Sequence, residues 1–180
     1  MRKALYILGQ LSDEDTDWFA RAGIRRKIPA GQALVQQGTP LGSLYFLLDG
    51  TMVVSLPGIG DVSTLSSGEI IGEISFVDSR PPSASVRAGT DCFVLDLPRE
   101  VILAKLDEDV RFSARFYRAI ATFLSARLRG TEQRLGYRKE NGLDEEMELD
   151  GELDMNVLDN IHVAGARFDR MLKKLMGQTD

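Results

Sequence analysis

The sequence predicts a mainly β domain flanked by helices, and two observations carry this prediction. Between residues 23 and 97, short runs of β-favouring residues are interrupted every 8–12 positions by glycine, proline or aspartate, which is typical of an antiparallel barrel or sandwich. On both sides of this stretch the apolar residues change to the spacing of amphipathic helices. At 180 residues the chain has room for one such core and not for two full domains.

Composition and charge argue against several classes of protein. The net charge of −5 argues against direct nucleic-acid binding, because affinity for a phosphate backbone depends on Lys and Arg. The single histidine, His162, argues against histidine-based metal sites and acid–base catalysis, and we expect it on a helix surface. No run approaches the ~20 apolar residues that a membrane span needs. We therefore predict a cytoplasmic protein that is not an enzyme.

Residues 1–22 form the predicted N-terminal helical segment. A short helix is expected over residues 11–22, where Ser12 and Asp15 have the spacing of a capping box. Trp18 and Phe19 give this helix an apolar face, so we expect both side chains in the core rather than against a ligand.

Residues 23–97 form the predicted β-rich domain. Asp49-Gly50 lies between two apolar runs, a pattern that predicts a type I′ hairpin turn. Cys92 lies in an apolar run, and we expect it to be a small core residue. The predicted strands cover residues 24–28, 33–36, 44–48, 51–56, 62–65, 84–88 and 92–97.

Residues 98–138 are predicted to form a pair of helices. Pro98 is expected at the first helical position of a short helix that ends near residue 109. A longer helix is expected over residues 111–129, ended by Gly130. Its apolar side predicts a dimer interface, and its arginines predict a solvated face that attracts the acidic segment further along the chain. These arginines are Arg111, Arg115, Arg118, Arg127 and Arg129.

The last part of the chain divides into an acidic linker, residues 139–154, and a C-terminal amphipathic helix within residues 155–180. Residues 140–154 contain eight acidic residues and no basic one, a composition typical of a solvated linker. Within residues 156–176 the apolar positions alternate in steps of three and four, which suits a helix that packs on another helix. We predict that this helix can bind a protein partner.

Residues 70–86 hold the most informative motif. Gly72 and Glu73 are expected to open a short helical turn whose backbone N–H groups face an anion. Glu73 can accept hydrogen bonds from a sugar hydroxyl, as acidic residues do with ribose, or it can cap its own turn as a structural acid. Ser83 offers a further donor at the start of the next predicted strand.

Several ordered motifs resemble the cyclic nucleotide-binding domain family, the β-roll sensors of catabolite-activator-type transcription factors and of cyclic-nucleotide-dependent kinases and channels. The motifs lie at residues 30–38, 44–53, 65–73, 83–86 and 97–98, and the resemblance covers about residues 11–129. It implies a β-roll that binds cAMP, cGMP or a related phosphate ligand and needs no other cofactor. The residues that match the family's binding cassette are Gly72, Glu73, Ile74, Ser75, Ser83 and Ala84.

The chain departs from the family pattern at one position of the cassette. The resemblance implies an arginine that pairs with the cyclic phosphate, but Pro82 stands there. A hydrogen bond to a charged group contributes about 1.5–3 kcal/mol, so this change should weaken phosphate binding about ten- to a hundredfold. Arg80 is two residues away, and we interpret it as a solvated loop charge.

Three functions follow as hypotheses. The first is a non-catalytic sensor that binds a cyclic nucleotide and signals through its C-terminal helices, as a homodimer formed through residues 111–129. The second is a degenerate domain that has lost ligand binding and acts in dimerisation or protein docking. The third, an enzyme of the metal-dependent cupin type, is disfavoured because residues 23–97 contain no histidine. The family's DNA-binding helix-turn-helix is not expected, since an acidic segment follows the long helix.

Overall fold

The structure is a computed structural model that describes residues 4–140 and 155–176, with side chains described for residues 7–130 and 163–176. The helices are α1 (Ala4–Gln10), α2 (Asp13–Ala22), α3 (Glu73–Asp78), α4 (Arg99–Glu108), α5 (Val110–Glu140) and α6 (Met155–Leu175). The strands are β1 (Ile24–Ile28), β2 (Ala33–Val35), β3 (Ser43–Asp49), β4 (Thr51–Leu56), β5 (Gly60–Ser66), β6 (Ile70–Ile71), β7 (Ser85–Ala88) and β8 (Cys92–Pro98).

Two four-stranded antiparallel sheets form the β domain, in the orders β1-β8-β3-β6 and β2-β7-β4-β5. Buried apolar side chains from both sheets fill the space between them, among them Met52, Val86 and Val94. Cys92 is fully buried in this cluster, as predicted. The mainly β fold with flanking helices is therefore confirmed as a β-roll. The sequence pattern missed β6, because two residues are too short a run to show a period.

The predicted hairpin at Asp49-Gly50 is wrong. β3 and β4 belong to different sheets, so these two residues carry the chain from one sheet to the other. Gly50 has φ 92°, whereas Asp49 does not have a positive φ. A Cβ atom on Gly50 would lie 2.6 Å from the Asp91 carbonyl oxygen and 2.7 Å from the Cys92 Sγ. The glycine is therefore required by a close approach to the start of β8.

A second cluster of buried apolar residues lies between the roll and the helices. Phe19 of α2, Phe46 of β3 and Phe112 of α5 meet there with ring centroids 5.3–5.9 Å apart. Trp18 is partly buried against the same cluster, which agrees with the predicted core role. Since aromatic rings bury large areas, this cluster fixes the helices on the outer face of the first sheet.

The N-terminal helix prediction is confirmed in its capping. The Ser12 side chain accepts a hydrogen bond from the Asp15 backbone N–H, and the Asp15 carboxylate accepts one from the Ser12 N–H. The sequence reasoning did not predict α1, which precedes this cap. Ile7 and Leu8 of α1 are fully buried, so tertiary packing stabilises a helix that is short for independent stability.

Two helix boundaries differ from the predictions. α5 continues through Gly130 to Glu140, so Gly130 does not end it. A glycine inside a helix costs about 1 kcal/mol relative to alanine, which residues on both sides can outweigh. Pro98 ends β8 and precedes α4 with an extended ψ of 134°. The helix therefore begins at Arg99, one residue later than predicted.

The C-terminal helix packs on the N-terminal helices of the same chain. Ala164 and Met171 are fully buried in the cluster that contains α1 residues. Arg167 donates to the Asp13 carboxylate at 2.6 Å and to the Leu8 carbonyl at 3.0 Å. The apolar face predicted for a partner thus has an intrachain contact. The acidic residues 141–154 and the His162 side chain lie outside the described residues.

Candidate functional site

A cavity of about 260 Å³ opens between residues 70–86, the apolar interior of the roll and one side chain of α5. Its apolar wall comes from both sheets of the roll. These wall residues are Val35, Val54, Leu65, Ile70, Ile71 and Val86. Polar side chains, among them Glu73, Ser83 and Arg127, also line it, so the cavity combines apolar walls with a few polar groups, the usual lining of a small-molecule site.

The predicted binding residues lie together around this cavity. They are Gly72, Glu73, Ile74, Ser75, Ser83 and Ala84. Ser75 is buried, whereas Ile74 is about half exposed and Ser83 is exposed. The predicted short helical turn is α3, which begins at Glu73. That these six residues bind a ligand stays a prediction.

Gly72 sets the direction in which α3 leaves the sheet. It precedes the helix with φ 96°, in the left-handed region that glycine tolerates. A Cβ atom there would lie 2.6 Å from Leu41 Cδ2 and 3.1 Å from the Ser43 carbonyl oxygen. Only glycine fits this turn, and the turn directs the next side chain, Glu73, inward.

Glu73 forms an ion pair with Arg127 of α5, which also lines the cavity. The Glu73 side chain is 3% exposed and that of Arg127 is 38% exposed. Burial raises the pKa of Glu73 above its usual range, and the Arg127 guanidinium offsets only part of this rise. Through this ion pair Glu73 joins the cassette to the long helix.

The sequence reasoning misplaced Arg127 by assigning all five arginines to a solvated face. Arg115 pairs with Asp15 and Arg127 pairs with Glu73, so two of them make specific contacts with the body of the domain. The helical spacing of the apolar residues could have placed Arg127 on the buried side of α5. Phe116, Ile120 and Phe123 are buried, and Arg127 follows them at the same three- and four-residue steps.

Arg99 holds the C-terminal end of α3 and was also missed. Its guanidinium donates to the carbonyls of Ser75 at 3.2 Å and Phe76 at 2.9 Å, and to the Ser79 Oγ at 2.9 Å. It also lies 4.8 Å from the centre of the Phe76 ring. Because Arg99 is the first residue of α4, these hydrogen bonds join α3 to the helices that follow the roll.

Pro82 and Arg80 both line the cavity. The Pro82 carbonyl accepts a hydrogen bond from the Gly38 N–H at 2.9 Å, which fixes the backbone there. Arg80 is exposed, in agreement with its interpretation as a loop charge, and its backbone N–H donates to the Asp78 carboxylate at 3.0 Å.

Another groove lies in the part of the chain that the structure describes, away from the predicted site. The groove, about 470 Å³ and more open, lies beside Trp18 and the exposed side of α4 and contains none of the predicted site residues. Among these residues no group of three or more His, Cys, Asp and Glu is placed to hold a metal ion. No helix in the part that the structure describes is both long and apolar enough to cross a membrane.

The fold and the cavity together define a β-roll that has a cavity in its interior and a long helix packed against it. Residues 25–109 match the family described as Cyclic nucleotide-binding domain. A solved cyclic nucleotide-binding domain from Methylobacillus flagellatus superposes with a TM-score of 0.67, covering 81% of this chain and 85% of that chain at 23% identity.

Two sequence relatives match part of this chain. An uncharacterized NTE family protein of Mycobacterium tuberculosis is 30% identical over 118 residues, which are 66% of this chain and 20% of that protein. The cAMP-activated global transcriptional regulator CRP of Escherichia coli is 29% identical over 124 residues, which are 63% of this chain and 59% of CRP. The chain thus spans less than two thirds of either relative.

Proposed function

We propose that the chain is a non-catalytic sensor that binds cAMP, cGMP or a related phosphate ligand in the cavity at Glu73 and signals through its C-terminal helices. The observation that carries this proposal is the Glu73–Arg127 ion pair, because it places a residue of α5 inside the cavity beside the acid of the cassette. A ligand that contacts Glu73 must meet Arg127. Occupancy of the cavity therefore favours a different position of α5.

Calorimetry with the full chain tests ligand binding. The titrants are cAMP, cGMP and cyclic dinucleotides, and we expect saturable heat and a rise in melting temperature with at least one of them. Exchange of Ile59, which is 73% exposed on the turn before β5, for alanine is the control that should leave binding unchanged. No heat and no thermal shift up to millimolar ligand would contradict the proposal.

We further propose that two copies associate through α5. Its inward side is used within the chain, but a second side has apolar residues in steps of three and four, the seam of a coiled coil. This outer seam consists of Val110, Ala114, Tyr117, Ala121, Leu124 and Leu128, of which Leu124 also packs against the core of its own chain. Val110, Tyr117 and Leu128 are 78%, 47% and 60% exposed, which supports a second copy of the chain as the occupant.

The second candidate function is a degenerate domain that acts in dimerisation or protein docking. Pro82 favours it, since a proline cannot donate a hydrogen bond to a phosphate. The variant Pro82→Arg distinguishes the two functions. Binding that appears only in P82R supports the degenerate domain, whereas binding by the unmodified chain supports the sensor. The cytoplasmic location and a protein partner for α6 stay predictions.

A further inference from the structure

The charge balance of the cavity raises the question of how an anion is held there. Two carboxylates line it, those of Glu73 and Asp78, and the cationic side chains among its lining residues are Arg80 and Arg127. Pro82 is neutral. An anionic ligand placed beside a buried carboxylate needs a cation close by, because charges left unpaired in a buried site are costly.

Arg80 is poorly placed for this role. It is exposed, its backbone is tied to Asp78, and Pro81 and Pro82 restrict the backbone that follows. A cation in contact with bulk water is screened by solvent and salt, so its attraction for a ligand is small.

Arg127 is less exposed than Arg80 and is paired with a buried carboxylate. Most of its side chain is buried, with its guanidinium at the Glu73 carboxylate and 5.6 Å from the centre of the Phe123 ring. A guanidinium has five N–H donors in a planar fork, so it can divide them between a carboxylate and a phosphate oxygen. It can therefore donate hydrogen bonds to the Glu73 carboxylate and to an anion at the same time.

We propose that Arg127 is the residue that donates hydrogen bonds to the anionic group of the ligand, so that a cation on α5 takes the place of the one that the cassette lacks at Pro82. This inference rests on the proposed sensor function. It specifies the ligand as a molecule with a hydroxyl group for Glu73, a phosphate for Arg127 and an apolar face for the roll interior. It also makes α5 part of the binding site itself.

The test removes the Arg127 guanidinium and the ligand phosphate in separate experiments. The variant Arg127→Gln and the ligand adenosine, which lacks the phosphate, are compared with the unmodified chain and cAMP by calorimetry. The variant Arg129→Gln, an exposed arginine two residues further along α5, is the matched control. Circular dichroism melts show whether each variant folds, and Arg127→Lys replaces R127Q if that variant does not.

If Arg127 contacts the phosphate, R127Q weakens cAMP about ten- to a hundredfold, leaves adenosine unchanged and is rescued by P82R. R127K should weaken cAMP less, because it keeps the charge and loses the fork. R129Q should bind as the unmodified chain does. Equal weakening of cAMP and adenosine by either Arg127 variant overturns the proposal, since Arg127 would then act only by positioning Glu73.

The failure of this inference differs from the failure of the sensor function. If the unmodified chain binds cAMP and R127Q binds it equally well or more tightly, the inference is overturned and the sensor function stands. If the unmodified chain binds no cyclic nucleotide and P82R does, both are overturned, because Arg127 does not replace the cassette arginine.

Discussion

Arg115 donates two hydrogen bonds to the carboxylate of Asp15, with Nε 2.6 Å from Oδ2 and Nη2 2.8 Å from Oδ1, although the two residues are 100 positions apart. The same carboxylate completes the cap of α2. Burial raises the pKa of Asp15, but the hydrogen bonds from Arg115 and Ser12 outweigh this effect and hold it below the usual 3.8. This one carboxylate therefore fixes α2 to α5.

Asp15→Asn should destabilise the domain at pH 7 by roughly 1.5–3 kcal/mol, the contribution of a hydrogen bond to a charged group. Because the folded-state pKa is lowered, this contribution is present above the usual value of 3.8 and is lost as pH falls through the lowered value. Urea unfolding at a series of pH values measures it. Glu14→Gln, at an exposed neighbour, is the control. A difference that persists at the lowest pH at which the domain folds would contradict the assignment to Asp15.

Glu73 should give the opposite pH dependence. Its folded-state pKa is raised above the usual 4.5, so its contribution favours the fold below 4.5 and is lost as pH rises through the raised value. We expect the unmodified chain to lose stability relative to Glu73→Gln over that interval, measured by urea unfolding. Val77→Ala, at a residue of α3 that is 49% exposed, is a control that removes no titratable group. Parallel profiles for the unmodified chain and E73Q would contradict the raised pKa.

Gly50→Ala and Gly58→Ala separate the cost of backbone conformation from the cost of crowding. Both glycines have positive φ, 92° and 72°, but a Cβ at Gly58 meets nothing within 4 Å whereas one at Gly50 meets backbone at 2.6 Å. G58A should cost about 1–2 kcal/mol from conformation alone, and G50A clearly more. Thermal unfolding followed by circular dichroism measures both. Equal losses would mean that β8 moves to accommodate the methyl group.

Leu128→Glu should disrupt the proposed dimer. Leu128 is 60% exposed on the outer seam of α5, so the substitution places a charge in the interface without changing the core. Light scattering coupled to gel filtration should show a monomer where the unmodified chain is a dimer. Leu103→Glu, at an apolar residue of α4 that is 37% exposed, should leave the mass unchanged. If the unmodified chain is a monomer, the proposed dimer through α5 is contradicted.

Arg167→Gln should loosen the contact between α6 and the N-terminal helices. Arg167 is 17% exposed and bonds both Asp13 and the C-terminal carbonyls of α1, so its loss removes contacts with α1 and with α2. Amide hydrogen exchange should become faster over residues 163–175, where the helix lies against buried Ala164 and Met171. Arg118→Gln, an exposed arginine of α5, is the control. Unchanged exchange in R167Q would show that apolar packing alone holds α6.

The sequence predicted the parts of the fold that depend on local pattern. β1 and β4 have the predicted bounds, and the capping box of Ser12 and Asp15 is present. Both predictions depend only on the spacing of residues that are close in sequence. The cassette residues were found from a motif whose spacing is also local. Glu73 could be placed on a short turn, but its burial could not.

The failures of the sequence prediction have a common physical cause in long-range contacts. Asp49-Gly50 has the residue types of a hairpin turn. However, β3 pairs with β8 and β4 pairs with β7, so these two residues connect two sheets. Glycine is common just after the end of a helix, but α5 continues through Gly130 to Glu140. Arg127 pairs with a residue 54 positions away, and no window of sequence contains both.

Residues 127 and 128 are consecutive on α5, and this has a consequence for how two copies respond to ligand. Arg127 lies in the cavity and Leu128 lies on the exposed seam, so the two sites of a dimer would be separated by little more than a pair of helices, each about 10–12 Å across. A rotation of α5 caused by one ligand would alter the packing that the other copy shares. Binding in such a pair is expected to be cooperative, with a Hill coefficient that differs from one in the unmodified chain and returns to one in L128E.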